Sequence, residues 1–226
     1  MGEERAGERA GQERMLAEVE RELAETAAET GVARLDPRIR EAIAATPRER
    51  FVDHDHRPRA YDNTPLPLGH GQTISQPFIV ALMTQLAEPG PGDKVLDVGT
   101  GSGWQAAILA RLAREVHGLE VIPELARQAR SRLQALGLEN VVIHEGDGWR
   151  GLPEAAPFDA IVVAAAAPEI PPALEEQLAP GGRLVIPVGP THGRQWLTLV
   201  EKDAQGHIHR RRLLPVAFVP LVRPPG

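Results

Sequence analysis

The sequence predicts a doubly wound α/β fold with a mostly parallel sheet, N-terminal helices and an antiparallel C-terminal hairpin. Short β-rich runs alternate with amphipathic helical runs between residues 77 and 188, which is typical of a parallel sheet covered by helices. Three glycines follow the first β-rich run, 94–98, at the place where such sheets bind ligands. The last two β-rich runs, 195–201 and 208–219, are separated only by a polar turn, which indicates an antiparallel pair.

The composition narrows the class of protein. A chain of 226 residues fits one domain, and its formal net charge of −6 lacks the basic excess that binds phosphate backbones. Because there is no cysteine, disulfides, thiolate zinc sites and a cysteine nucleophile are excluded. No apolar run approaches the length of a signal core or a membrane span. We therefore expect a soluble, cytoplasmic protein without nucleic-acid or membrane partners.

The chain opens with a charged leader, residues 1–14, for which a frayed helix and a disordered segment are both open. From Met15 to Leu23 apolar residues recur at helical spacing, and Gly31 follows where a helix C-cap is expected. Asp36, with a proline directly behind it, fits the N-cap of a second short helix.

The spacing of Thr46 and Glu49 fits a capping box and predicts one more helix start. Together these helices form an N-terminal helical cap, residues 15–52. Residues 53–76 contain several prolines and glycines and no sustained periodicity, so they are predicted to form a long active-site loop, since long loops in compact domains are usually functional. Cap, loop and sheet are expected to form one domain, residues 15–226.

The remaining elements follow from hydrophobic periodicity, which changes between the helical and the strand pattern along the chain. The predicted helices cover 77–87, 104–114, 123–136 and 171–178, and the predicted strands cover 94–98, 116–120, 141–144, 158–163 and 183–188. In such a fold the carboxyl ends of the parallel strands meet at one edge of the sheet.

A glycine-rich turn, DVGTGSG at 97–103, joins the first of these strands to the next helix. Glycine lets the chain turn sharply and its backbone approach a ligand closely, and the helix start offers free N–H groups. A dinucleotide-binding turn would have glycine in place of Trp104. Asp97 would repel a pyrophosphate but attract an ammonium or sulfonium group, so the turn favours a cationic cofactor without phosphate. The predicted cofactor-binding residues of the turn are Asp97, Gly99, Thr100, Gly101, Ser102 and Gly103.

Two further acidic residues follow strands at the same edge of the sheet. Glu120 ends the second strand roughly twenty residues past the first glycine, where an acidic side chain accepts hydrogen bonds from ribose hydroxyls. Asp147 and Gly148 follow the third strand, where a carboxylate could accept from an adenine amino group. An ordinary Asp-Gly turn is the alternative for Asp147. With Asp97, these positions outline one nucleoside pocket.

Several separate motifs between Thr46 and Leu221 carry a resemblance to a known family. They are YDN followed by PLPLGHGQTISQP, then VLDVGTGSG, VIPEL, GDGW, APFDAIVVAAAAPEIP, GGRLVIPVG and VAFVPL. With these motifs the chain resembles the protein-L-isoaspartate(D-aspartate) O-methyltransferases. VLDVGTGSG is shared by many methyltransferases and supports only the cofactor, whereas GQTISQP and VPL are the specific motifs.

The resemblance implies a class I, Rossmann-like methyltransferase fold, S-adenosylmethionine as methyl donor and S-adenosylhomocysteine as product. It implies as acceptor the free carboxylate of L-isoaspartyl residues in damaged proteins and peptides, whose methylation initiates repair to aspartyl. Ser75 is implied as the catalytic residue, although the sequence leaves open that it only caps the helix behind Pro77. The implied substrate-binding residues are Gln72, Thr73, Ile74, Ser75, Val219, Pro220 and Leu221. We expect a monomer.

Three alternatives stay open at this point. Another S-adenosylmethionine-dependent enzyme, acting on a small molecule or on nitrogen, would share the turn, but base N-methyltransferases resemble one another in an Asn/Asp-Pro-Pro-aromatic segment, and this chain has alanines, Pro168 and Glu169 there. An NAD-dependent dehydrogenase would need a glycine at 104. A non-catalytic nucleoside-binding protein would bind cofactor without methyl incorporation. His54 and His56 lack a third ligand, so no metal is expected.

Overall fold

The computed structural model describes residues 2–191 and 193–224 of the chain. Its strands are β1 (Leu66–Gly69), β2 (Gln72–Ile74), β3 (Lys94–Val98), β4 (Glu115–Glu120), β5 (Val141–Glu145), β6 (Phe158–Val163), β7 (Leu178–Val188), β8 (Gln195–Lys202) and β9 (Ile208–Val216). The last seven form one sheet in the order β5-β4-β3-β6-β7-β8-β9, and β1 and β2 form a separate antiparallel hairpin. Strands β3 to β7 run parallel, whereas β8 is antiparallel to both of its neighbours. The predicted fold class is confirmed.

Seven α-helices surround the sheet in the described part of the chain. They are α1 (Gly2–Glu25), α2 (Ala27–Thr30), α3 (Pro37–Ala44), α4 (Pro77–Ala87), α5 (Trp104–Ala110), α6 (Pro123–Ala135) and α7 (Pro172–Glu176), with 3₁₀ helices at Arg48–Phe51 and His54–Arg59. Both faces of the sheet are covered: Val95 of β3 packs in an apolar cluster that includes residues of α1 and α3 to α6, and Leu96 packs in a cluster that includes α7. Strands buried on both faces read as continuous apolar runs, which is why β3 and β6 have their predicted bounds.

The first helix extends into the charged leader, for which the sequence left a helix and a disordered segment open. It begins at Gly2 instead of Met15, so residues 2–14 of the leader are helical. The side-chain amide of Gln12 donates hydrogen bonds to the carbonyl oxygens of Ala44, at 2.7 Å, and Ile43, at 3.2 Å. These hydrogen bonds attach the first half of α1 to the end of α3. Because the contact is polar, it produces no apolar periodicity in the sequence.

The segment 53–76 is more regular than the predicted loop. It contains a 3₁₀ helix and the β1–β2 hairpin, in which Leu66 and Leu68 are buried while Pro67 and Gly69 are exposed. Four alternating residues next to prolines are too few to be recognised as a strand from the sequence.

The predicted helix starts have different outcomes. Asp36 is confirmed as an N-cap, because its Oδ1 accepts from the backbone N–H of Arg38 at 2.7 Å, and Gly31 ends α2 in the left-handed conformation. The prediction of a capping box at Thr46 and Glu49 is wrong. The Thr46 hydroxyl donates back to the carbonyl of Ala42 at 2.7 Å, and only a short 3₁₀ helix follows.

Two strand ends also differ from the prediction. β7 begins at Leu178, before the Gly181-Gly182 bulge that resembles a turn in the sequence. β9 ends at Val216 instead of 219, because the side chain of Gln195 exchanges hydrogen bonds with the backbone of Phe218 in place of a strand partner. The chain is thereby released from the sheet and turns toward the carboxyl ends of the parallel strands. Helices α5 and α7 are shorter than predicted.

Candidate active site

A cavity lies at the carboxyl edge of the parallel strands, where segments distant in the sequence meet. The hairpin strand β2, the glycine-rich turn, the end of β4 and the C-terminal segment contribute to its wall. Of the residues predicted from the sequence, it is lined by Gln72, Thr73, Ile74, Ser75, Gly99, Thr100, Gly101, Ser102, Glu120, Gly148, Val219, Pro220 and Leu221. Asp97, Gly103 and Asp147 are adjacent to lining residues but do not line the cavity themselves.

The backbone of the turn requires its glycines. Gly99, Gly101 and Gly103 have φ values of 77°, 53° and 89°, a region that residues with a side chain rarely adopt. A fourth glycine, Gly118 on β4, is also required by the packing of the turn, and no sequence pattern indicates it. A Cβ there would lie 2.6 Å from Oγ1 of Thr100, so its absence leaves the space in which the turn packs against the sheet.

Asp97 is a fully buried carboxylate at the end of β3. Neither of its carboxyl oxygens has a hydrogen-bond partner among the described residues. Burial raises the pKa of Asp97 from its ordinary value of 3.8 to about 7. A buried carboxyl group without a partner is costly, and the positive charge of a ligand in the adjacent cavity would favour its ionised form through space or through a bridging water. The site therefore fits a cationic cofactor.

Glu120 faces the cavity from the end of β4. Its Oε2 accepts from the backbone N–H of Gly101 at 2.8 Å, and its Oε1 accepts from that of Ile122 at 2.9 Å. These two bonds fix the carboxylate and connect the turn to the following strand. Each oxygen keeps a second lone pair, so the pair of hydroxyls of a ribose could still donate to it.

Asp147 and Gly148 have different surroundings. Oδ1 of Asp147 accepts from the backbone N–H of Trp149 at 2.9 Å, and its Oδ2 lies 3.6 Å from the guanidinium of Arg223. Gly148 is in the wall, where a Cβ would lie 2.7 Å from Val98 and 2.8 Å from Leu221. The Asp-Gly turn thus allows the C-terminal segment to pack closely.

Ser75 lies in the wall between β2 and α4. It does not cap α4, because Gln76 occupies the N-cap position and the N–H of Phe78 donates to the side chain of Asn63 at 2.9 Å. The reading of Ser75 as a cap is therefore wrong. No histidine or carboxylate in the described residues hydrogen-bonds its hydroxyl.

Arg48 holds the segment around Ser75, a role that no pattern in the sequence predicts. Its guanidinium donates to four backbone carbonyl oxygens, at 2.8 to 3.1 Å, including that of Ser75. It also lies over the ring of Trp104, 5.3 Å from the centroid. Burial lowers the pKa of Arg48 to about 10, which leaves it charged at neutral pH. Only the geometry reveals this role, since arginine before a long loop is ordinarily exposed.

The C-terminal segment closes one side of the cavity. The N–H of Ala166 donates to the carbonyl of Val219 at 2.8 Å, and that of Leu221 donates to the carbonyl of Ala166 at 2.7 Å. The indole N–H of Trp149 donates to the carbonyl of Leu221 at 2.9 Å. These bonds place residues 219–221 beside the small side chain of Ala164, which also lines the cavity.

Among the side chains that the structure describes, which begin at Gly7, no three His, Asp or Glu lie close enough together to hold a metal ion. No helix in the described part of the chain has the length and apolar character needed to cross a bilayer.

The strand order, the antiparallel last pair and a glycine-rich turn beside a partnerless buried carboxylate define a class I methyltransferase. The sequence model of the protein-L-isoaspartate(D-aspartate) O-methyltransferases matches residues 18–225. The chain belongs to this family.

Individual relatives agree with the assignment. A protein-L-isoaspartate O-methyltransferase 2 from Polaromonas sp. is 56% identical over 207 residues, which cover 92% of this chain and 98% of the relative. Another from Syntrophobacter fumaroxidans is 53% identical over 208 residues, covering 92% and 84%. A crystal structure from Plasmodium falciparum is described as a protein-L-isoaspartate O-methyltransferase in complex with S-adenosyl-L-homocysteine. It is 27% identical to this chain with a TM-score of 0.73, and the match covers 89% of this chain and 97% of the other.

Proposed function

We propose that the chain transfers a methyl group from S-adenosylmethionine to the free carboxylate of an L-isoaspartyl residue in a damaged protein or peptide, with Ser75 orienting that carboxylate. Family membership supports the reaction. The partnerless carboxylate of Asp97 is the observation that carries the cofactor part of the proposal. The reaction implied by the resemblance continues without the enzyme: the next backbone nitrogen attacks the ester carbonyl and expels methanol to close a succinimide, and water opens part of that ring to aspartate.

The cofactor would be held by the acidic strand ends and the glycine-rich turn. When bound, S-adenosylmethionine supplies an electrophilic methyl group on a positively charged sulfur. Asp97 offers negative charge to a cationic ligand, and Glu120 offers the free lone pairs of its fixed carboxylate to the ribose hydroxyls. Asp147 is better suited to form the turn that places Gly148 in the wall than to contact adenine, because its carboxylate is engaged outside the cavity.

The acceptor needs positioning and no general base. A carboxyl group with an ordinary pKa of about 4 is ionised at neutral pH, so it is already nucleophilic. Ser75 donates a hydrogen bond that fixes the carboxylate, and holding two reactants in a productive arrangement is a large part of catalysis. The small side chains of Ala164 and Ala165 leave space for a peptide backbone. Leu68 of the hairpin lies against Gly101 and helps to exclude water.

The test uses labelled donor and paired peptides that differ only in containing aspartate or isoaspartate. We expect label to enter the isoaspartyl peptide alone. Label in neither peptide, or equally in both, would overturn the proposed acceptor. Calorimetry supplies a control for the cofactor: S-adenosylhomocysteine should bind and NADH should not, and the reverse result would favour a dehydrogenase.

We further propose that the enzyme acts as a monomer in the cytoplasm, without nucleic-acid or membrane partners. The net charge of −6 and the absence of cysteine from the sequence are compatible with this. Analytical ultracentrifugation of the purified chain checks the oligomeric state, and a sedimentation coefficient that rises with concentration would contradict a monomer.

A further inference from the structure

A second cavity opens beside Ser75 and continues the first. The two share Thr73, Ser75, Ala164 and Val219 in their walls. The far part of the second cavity is apolar, with walls from α4, the end of β9 and the segment behind it; these residues are Phe78, Ile79, Leu214, Val216 and Phe218. A peptide whose isoaspartyl carboxylate reaches Ser75 therefore has a space next to it for a neighbouring residue.

One carboxylate, that of Glu22 on α1, lines this second cavity. Its Oε2 accepts from the side-chain amides of Asn63 at 2.8 Å and Gln76 at 3.1 Å. These neutral donors orient the carboxylate but leave its charge uncompensated. Among the described residues Glu22 forms no ion pair, and the neighbouring Arg21 pairs with Glu25 at 3.7 Å.

The surroundings of Glu22 make its charge available to a ligand. The side chain is half-buried, and burial raises its pKa, while the nearby charges of Glu25 and Arg21 act on that pKa in opposite directions. Glu22 contacts Gln76, which directly follows Ser75 in the chain. An extended peptide advances about 3.3 to 3.6 Å per residue. A side chain directly flanking the isoaspartyl residue would therefore enter the cavity that Ser75 and Glu22 both line.

We propose that Glu22 is a specificity-determining residue that favours isoaspartyl substrates with a lysine or arginine at a position directly flanking the isoaspartyl residue. The inference rests on the proposed function, because it assigns the neighbouring residue of the same substrate. The aliphatic stem of the basic side chain packs against the apolar wall, and its cationic end reaches the oriented carboxylate. A flanking glutamate is disfavoured by the same charge.

The experiment measures kcat/KM for isoaspartyl peptides that carry lysine, norleucine or glutamate directly before or directly after the isoaspartyl residue. Norleucine keeps the aliphatic stem of lysine and removes its charge. For at least one of the two positions, we expect the wild-type chain to prefer lysine over norleucine by roughly 5-fold, the effect of a partly exposed ion pair.

Two substitutions in α1 test whether the negative charge of Glu22 causes the preference for lysine. In Glu22→Gln, whose amide oxygen can still accept from Asn63, the ratio of lysine to norleucine kcat/KM should fall to about one. The matched control is Glu25→Gln, an exposed position one turn away that lines neither cavity and should keep the wild-type ratio. Each ratio is internal to one protein, so a general loss of activity does not affect it.

The outcomes separate the two proposals. If wild-type ratios are near one at both positions, or if the preference persists in Glu22→Gln, the inference is overturned while isoaspartyl methylation stands. If no isoaspartyl peptide is methylated at all, the proposed function fails and the inference with it.

Discussion

The guanidinium of Arg48 donates a hydrogen bond to the backbone carbonyl of Ser75 at 3.0 Å. The same group binds the carbonyls of Ala60, Asp62 and Thr64, and it is fully buried. One cation thus joins the segment before the hairpin to the segment behind it. The backbone of the proposed catalytic serine is therefore held by a buried side chain that is distant from it in the sequence.

Replacing Arg48 with methionine tests that dependence. The four carbonyl oxygens would lose their donor inside the protein, so we expect the free energy of unfolding to fall by about 3 kcal/mol or more. Urea denaturation measures the change. The control is Arg50→Met, an exposed arginine two residues away. Equal stability of the two variants would show that Arg48 does not organise this segment.

The hydroxyl of Ser75 is tested by Ser75→Ala. We expect normal folding and a fall in kcat of about 10-fold or more, because a hydrogen bond to a charged group contributes roughly 1.5 to 3 kcal/mol. The KM for S-adenosylmethionine should change little, since the proposed partner of the hydroxyl is the acceptor. Ser131→Ala on the exposed face of α6 serves as control. An unchanged kcat would contradict the role given to Ser75.

The sequence predicted those parts of the fold that rest on repeated local patterns. β3 and α4 have their predicted bounds because apolar residues recur in them at strand or helix spacing. The sequence left the first half of α1 open between a helix and a disordered segment, because Gln12 docks it by polar bonds and not by an apolar stripe. It did not indicate the β1–β2 hairpin, which has only two buried leucines. Single tertiary contacts leave no period in a sequence.

The residues of the candidate site also fall into those that local sequence patterns predict and those that only tertiary contacts reveal. Glu120 and the glycines of the turn could be placed because the spacing of acidic and glycine residues after strands is a local signal. Arg48, Gly118 and Glu22 could not, since their roles depend on which backbone carbonyl, side chain or cavity lies beside them in space.

Glu120→Gln tests the carboxylate at the end of β4. The amide nitrogen of glutamine would face the N–H of either Gly101 or Ile122, so one donor would lose its acceptor. We expect the affinity for S-adenosylhomocysteine to fall by about 10-fold, measured by calorimetry. Glu145→Gln, an exposed residue on the neighbouring strand, should bind normally. Equal dissociation constants for the two variants would exclude Glu120 from the cofactor site.

The raised pKa of the buried Asp97 carboxyl group should make the free energy of unfolding depend on pH. Burial raises its pKa in the folded chain to about 7, above the ordinary value of 3.8, so the folded state binds more protons than the unfolded state between these values. The contribution of Asp97 to stability is therefore present below the lower pKa and is lost as the pH rises to about 7. Asp97→Asn does not titrate. Its stability relative to the wild-type chain should rise from about pH 4 to about pH 7 and then level off.

The same titration should govern cofactor binding in the opposite direction. A cationic ligand favours the ionised carboxylate, so the affinity of the wild-type chain for S-adenosylhomocysteine, which carries an ammonium group, should increase as the pH rises through about 7. Asp97→Asn should bind more weakly and lose this increase. Denaturation curves and calorimetry across the same pH series measure both quantities. Parallel pH profiles for the two proteins in both measurements would mean that Asp97 is neither the destabilising buried acid nor the partner of the cofactor's positive charge.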